Sequence, residues 1–134
     1  MMKKNKQSIR PTIESIDVSA AVNPQEVFQN QVLRPIFKLQ HDIIIFVVAH
    51  AIIRKGNKYA EIHVSEKETY LTNTLLRDAA LFNQLKGIIV GMMTIEEMRS
   101  YKSDERNLNK RITSLLKKRI LDSQNEILSI IENS

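Results

Sequence analysis

The sequence predicts an all-α protein: a single-domain bundle of about five helices, with a long first helix kinked at a proline. Three observations predict it. Only three Gly, three Pro and 5% aromatic residues occur among 134 positions, too little punctuation for a many-stranded β protein. Apolar residues recur in steps of three and four along most of the chain. Ten of the eleven residues from Ile43 to Ile53 are apolar, with His50 the single interruption. A helix built from that run has no polar face and is expected to be covered on nearly every side. It falls short of the ~20 residues of a bilayer span, so it reads as the central element of a soluble domain.

The first 22 residues lack helical periodicity and form an N-terminal arm. They hold Pro11 and scattered Ser, Thr and Asp, yet Ile9, Ile13, Ile16 and Val18 recur as spaced apolar residues. The later part of the arm is therefore expected to lie along the folded body of residues 23–134. The start is basic but lacks the apolar stretch and small-residue site of a secretory signal, so a cytoplasmic location without membrane attachment is expected.

Asn23-Pro24-Gln25-Glu26 opens the first helix: Asn caps, Pro occupies the first turn, and Glu26 faces the positive end of the dipole. Phe28, Val32, Ile36, Leu39, Ile43, Phe46, Val47 and His50 form its apolar stripe, with a kink expected at Pro35 and closure at Gly56. Ser65-Glu66-Lys67-Glu68 reads as a capping box for the second helix, and Asp78 as the cap of a third beginning at Ala79. Gly87 and Gly91, four apart, would let a neighbouring backbone approach. Thr94-Ile95-Glu96-Glu97 is a second capping box, and Ser103 is read as the cap of the final helix, which carries Leu108, Ile112, Leu115 and Leu116 on one side. That helix is expected to pack across the Ile43–Ile53 segment.

Charge is unevenly placed within the net +5. Four basic residues fall in the first ten, and eight fall between Arg99 and Arg119 against Asp104 and Glu105 alone. Arg106, Lys110 and Lys117 lie within about 40° of one another on the outer side of the final helix. With Lys118 and Arg119 they make a candidate anion-binding set, able to meet nucleic-acid phosphates. Tyr101 is the single aromatic residue nearby for base stacking.

Catalytic constellations are lacking. Without Cys there is no thiol nucleophile, thiolate ligand or disulfide. The three glycines form no phosphate loop and no nucleophile elbow. Glu66 with Glu68, and Glu96 with Glu97, are explained as exposed helix-cap pairs. His41 and His50 are separated by about 900° of helical rotation and cannot share an ion. His50 shares the stripe of Ile43, Phe46 and Val47, so its ring is expected to be buried in the core. No enzyme, metal or cofactor is expected.

Three stretches carry a resemblance: Gln29-Asn30-x-x-Leu33-Arg34-Pro35-Ile36-x-Lys38-Leu39-Gln40, then Lys86 to Met92 leading to Thr94-x-Glu96-Glu97, then Leu108-Asn109-Lys110-Arg111. Together they resemble a family of small, uncharacterised, all-helical bacterial proteins. Some members bear a glyoxalase label, but glyoxalase folds use βαβββ modules with His and Glu metal ligands, which these residues do not resemble. The resemblance directs attention to Arg34, Lys38, Gln40, Asn109 and Arg111, which with His50 are candidates for a shared polar groove. The competing reading is pairing and capping between packed helices.

These readings point to a non-catalytic helical interaction or structural protein. A homodimer is expected, because one small bundle cannot cover both the Ile43–Ile53 helix and the Gly87–Gly91 segment. An unidentified protein partner is a further expectation. The alternative is a nucleic-acid-binding protein using the basic face of the C-terminal helix.

Overall fold

The computed structural model describes Arg10, residues 23–56 and residues 59–134, with backbone alone at Thr74 and Leu75. These residues form α1 (Pro24–Leu39), α2 (His41–Arg54), α3 (Val64–Tyr70), α4 (Ala79–Val90), α5 (Ile95–Ser103), α6 (Glu105–Asp122) and α7 (Gln124–Glu132). A 3-10 turn spans Tyr59–Glu61, and a π turn, Leu71–Leu75, continues α3. Among the described residues there is no strand. The fold is all-α, with seven helices rather than five, because the expected first and last helices each divide in two. Of the N-terminal arm, the apolar residues Ile9, Ile13, Ile16 and Val18 lie outside the described residues.

The first division is at Gln40, not at Pro35. Within α1 the backbone widens to a π turn over Gln29–Leu33, where the Arg34 N–H reaches back to the Gln29 carbonyl. That extra residue per turn precedes Pro35, whose ring would otherwise crowd the carbonyl four residues back. The 61° bend between α1 and α2 comes later. Gln40 leaves the helical region (φ −94°, ψ 8°), although its N–H still bonds the Ile36 carbonyl at 2.9 Å. Its side-chain Nε2 donates to the Ile88 carbonyl of α4 at 3.4 Å, tying the corner to a third helix.

The bend lets two apolar stripes meet one core. α1 contributes Val32, Leu33, Ile36 and Phe37, and α2 contributes Ile44, Ile45, Val48, Ala49 and Ile52, all buried. α2 packs on α7 through Ile127 and Ile131, and on α4 through Leu81, Leu85 and Ile89. α6 closes the bundle against α1 and α4 with Leu108, Ile112, Leu116 and Ile120. The final stretch divides at Ser123, so it is α7, not the Leu108–Leu116 segment, that lies against α2.

The other side of α2 is open. Ile43 is 50% and Phe46 58% exposed, and the exposed His50 ring lies parallel to Phe46 with centroids 6.2 Å apart. The stripe of Ile43, Phe46, Val47 and His50 therefore faces outward, and the buried face is the one offset from it. Gly87 and Gly91 are exposed too, and no atom of the described residues lies within 4 Å of where a Gly87 side chain would begin, so no described backbone uses that space.

Helix ends follow the sequence where the cap is a short polar side chain. Asn23 accepts from the Glu26 N–H and Asp78 from the Leu81 N–H, and Gly56 takes the left-handed conformation (φ 110°) past the end of α2. α3 differs. His63 is its cap, with Nδ1 accepting from the Ser65 N–H at 3.2 Å, so Ser65 lies within the first turn and makes no box with Glu68. α6 begins after Asp104, and Ser103 instead donates to the Ser100 carbonyl.

Glu97 holds the most connected cap. It completes the capping box with Thr94, yet it is buried rather than exposed. Its two oxygens accept from Arg10 at 2.6 and 2.8 Å, and Arg10 also donates to the Met92 carbonyl. The pair is almost fully covered, with side-chain exposures of 4% and 8%. Glu97→Ala removes the cap and leaves a buried guanidinium unpaired, so it should destabilise the chain by ~3–5 kcal/mol. Urea unfolding checks it; a loss below that of an exposed alanine substitution such as Glu96→Ala would contradict the pairing.

Asp78 provides a pH test. The Leu81 N–H, and then the Lys55 ammonium at 3.1 Å, hold its carboxyl below the usual aspartate range. Its contribution is therefore present above the unfolded value of about 3.9 and is lost as pH falls from there through the folded value. Asp78→Asn should flatten that part of the acid unfolding curve while leaving the fold unchanged.

Candidate functional site

The residues marked as one polar groove do not come together. Gln40 is spent on α4, and Asn109 accepts a hydrogen bond from the Tyr101 hydroxyl of α5. His50 lies on the outer face of α2 and Lys38 is exposed on α1. Arg34 is exposed, with Nε donating to Asn30 Oδ1 one turn earlier at 3.1 Å. Arg111 crosses from α6 to α1, donating to Gln29 Oε1 at 2.9 Å. Capping and helix pairing account for Gln40, Asn109 and Arg111.

The candidate anion-binding set divides. Arg106, Lys110 and Lys117 are exposed along the outward strip of α6, as their spacing requires. Lys110, Arg111 and Lys118 line a cleft of about 590 Å³ with Gln25 and Gln29 of α1. Lys118 continues into a second cleft of about 300 Å³, lined also by Arg119, Arg34, Phe37 and His41. Members of both expected sets thus share a basic groove between α1 and α6, while Arg106 and Lys117 line neither cleft.

Arg119 is held in that groove by a ring on one side and a histidine on another. Its guanidinium lies over the Phe37 ring, 5.8 Å from the centroid, and one terminal N–H points to His41 Nδ1 at 3.0 Å. Burial pushes its pKa down from the ordinary arginine value, and the nearby Arg34 charge pushes the same way; Glu126 and Asp122 oppose them. An arginine stays charged through such a shift, so the cost is carried as unfavourable charge within the fold. None of the ion pairs among the described residues includes Arg34, Lys118 or Arg119.

His41 joins this groove to an acidic rim. Its Nε2 lies 2.8 Å from Glu126, and the ligand atoms of His41, Asp42 and Glu126 lie within 4.8 Å of one another. Three such groups invite a divalent cation, but the hydrogen bonds argue otherwise. An arginine only donates, so Nδ1 must accept and the proton of the neutral ring sits on Nε2, directed at Glu126. A metal on Nε2 would require that proton to move to Nδ1, where it would face the Arg119 N–H. The triad serves better as the bracket that orients Arg119.

A cleft of about 790 Å³ runs between the start of α1 and α5 and is lined by Gln25, Gln31, Glu96, Glu97 and Asp104 among others. Gln25 Nε2 donates to Asp104 across it at 2.6 Å. Ser65 and His63, with Oγ and Nδ1 2.8 Å apart, resemble a nucleophile and base, but that nitrogen is already the helix cap. Arg10, Phe37 and His41 were missed as site residues. Nothing local in the sequence distinguishes them, because each gains its role from a partner 78 or more positions away.

The orientation of His41 is directly testable. At about pH 8, nitrogen–proton correlation spectra should find the ring proton on Nε2 and none on Nδ1. Arg119→Met should abolish that preference; a ring protonated on Nδ1 in the wild-type chain would contradict the bracket.

No protein-family model, curated protein or solved structure matches the chain. What it does is therefore read from its own geometry.

Proposed function

We propose that this protein is a non-catalytic helical interaction protein of the cytoplasm that pairs with a second copy of itself through the outer face of α2. The exposure of Ile43 and Phe46 carries the reading: two large apolar side chains stand half or more in water on a helix whose opposite face is core. Val47 and His50 extend the stripe, and a cleft of about 440 Å³ beside it separates α2 from Ala80, Leu81 and Gln84 of α4.

The flank of α4 suits close approach. Ala80, Gln84, Gly87 and Gly91 fall within about 60° of one another around its axis. A facing helix meets small or flexible side chains there, with open space above Gly87. A second copy is the favoured occupant because the face is self-complementary, apolar on apolar, and two copies related by a twofold axis can bury it against itself. The basic strip of α6 repels its own copy, whereas the α2 face groups Ile43 and Phe46 on one helix; the other exposed large apolar residues, Val64 and Ile95, stand singly at helix starts.

Nucleic-acid binding through the outward strip of α6 is less well supported. Tyr101 is buried and bonded to Asn109, so no aromatic ring on that strip is available for stacking bases.

Light scattering at micromolar concentration should give twice the chain mass of 15.5 kDa. Phe46→Glu and Ile43→Glu should each return the protein to the monomer with its helical content unchanged, since both side chains are exposed. A monomeric wild-type chain, or a dimer indifferent to both substitutions, would overturn the proposal.

A further inference from the structure

We propose that the cleft lined by Arg34, Lys118 and Arg119 binds a phosphate group, one of several carried in line by a ligand lying along the groove between α1 and α6. The inference uses none of the residues of the α2 pairing face and does not rest on that pairing.

Three cations line a cleft of about 300 Å³ against one carboxylate, Asp122. Their donors are largely uncommitted. Arg34 uses Nε on Asn30, which orients its fork and leaves both terminal nitrogens free of any described partner. Arg119 uses one terminal nitrogen on His41. Lys118 is exposed and takes part in none of the ion pairs of the described residues.

Holding two guanidinium groups close together, one of them half-buried, is unfavourable by itself. Glu126 offsets part of that repulsion but makes no ion pair with Arg119, its carboxylate being engaged by His41. A bound anion removes the repulsion. Phosphate fits better than a single carboxylate, because its several oxygens can take a planar arginine fork and still accept from a second cation. The cation at the centre is also pre-ordered: Phe37 below and His41 beside it hold Arg119 in place, so little rotamer freedom is lost on binding.

The groove points to more than one phosphate. Lys118 lines this cleft and the next, where Lys110 and Arg111 continue the row. From Lys110 to Lys118 α6 rises about 12 Å, room for a chain of linked phosphates rather than a single ion. Two sources share that chemistry: an inorganic or small-molecule oligophosphate, and the backbone of a single-stranded nucleic acid.

The test is calorimetric titration of the full chain with inorganic tripolyphosphate and, separately, with a short oligothymidylate, at low and moderate salt. Binding should appear in at least one arm and weaken ~20-fold between 50 and 200 mM salt if three phosphates are contacted. The exposed pair Arg34→Gln/Lys118→Gln should lose about ten-fold or more in affinity, as expected for charged hydrogen bonds. The charge-matched control Arg106→Gln/Lys117→Gln should stay within about two-fold of wild type, because neither residue lines the groove. Tripolyphosphate binding that follows this pattern assigns a compact oligophosphate, and oligothymidylate binding alone assigns a nucleic-acid backbone; either supports the site. Absence of binding in both arms at low salt, or equal or greater loss in the control, overturns it.

Discussion

Ile44, Ile45, Val48, Ala49 and Ile52 form the buried face of α2, and their contacts with α7 and α4 set where the remaining helices can lie. Each of the three isoleucines and Val48 contributes roughly 1.5–3 kcal/mol when removed from water. The 61° bend at Gln40 follows from that constraint. A straight helix through residues 24–54 could not present the stripes of α1 and α2 to one core. Among the described residues no single helix is long and apolar enough to cross a membrane; the bent pair passes on length and composition together, but much of its apolar surface is spent on this core.

Polar contacts secure what the core arranges. Glu97 links the start of α5 to Arg10, far away in sequence, and does so with a carboxylate already committed to a helix cap. Lys67 is buried beside Tyr59, donating to its carbonyl at 3.1 Å and lying 4.9 Å from its ring centre, so the 3-10 turn is held from two directions. Such groups are tolerated in covered positions because every charge has a partner nearby. Arg119 has no ion pair among the described residues, and burial and Arg34 outweigh the support of Glu126 and Asp122, which separates the α1–α6 groove from the other polar clusters of the bundle.

Much of the fold was legible because its cues are local. Asn23, Asp78 and the Thr94–Glu97 box act within one helical turn, and each is found where its spacing puts it. Ser65 and Ser103 were misread because His63, two residues before Ser65, and Asp104, one residue after Ser103, take the cap positions instead. Pro35 is a local cue whose effect was not local. The π turn before it absorbed the lost hydrogen bond, so the visible bend moved to Gln40.

Composition and periodicity by themselves determined that the chain is helical, that residues 43–53 supply a core helix, and that Arg106, Lys110 and Lys117 of α6 point outward. They could not determine which side of α2 is core. A helix apolar all round offers no moment to orient it, and only packing against α4 and α7 chose Ile44, Ile45 and Val48 over Ile43, Phe46 and His50. The groove is tertiary for a related reason. Arg34 and Arg119 lie 85 positions apart, and a charge cluster built across two helices has no signature in the order of residues along either one.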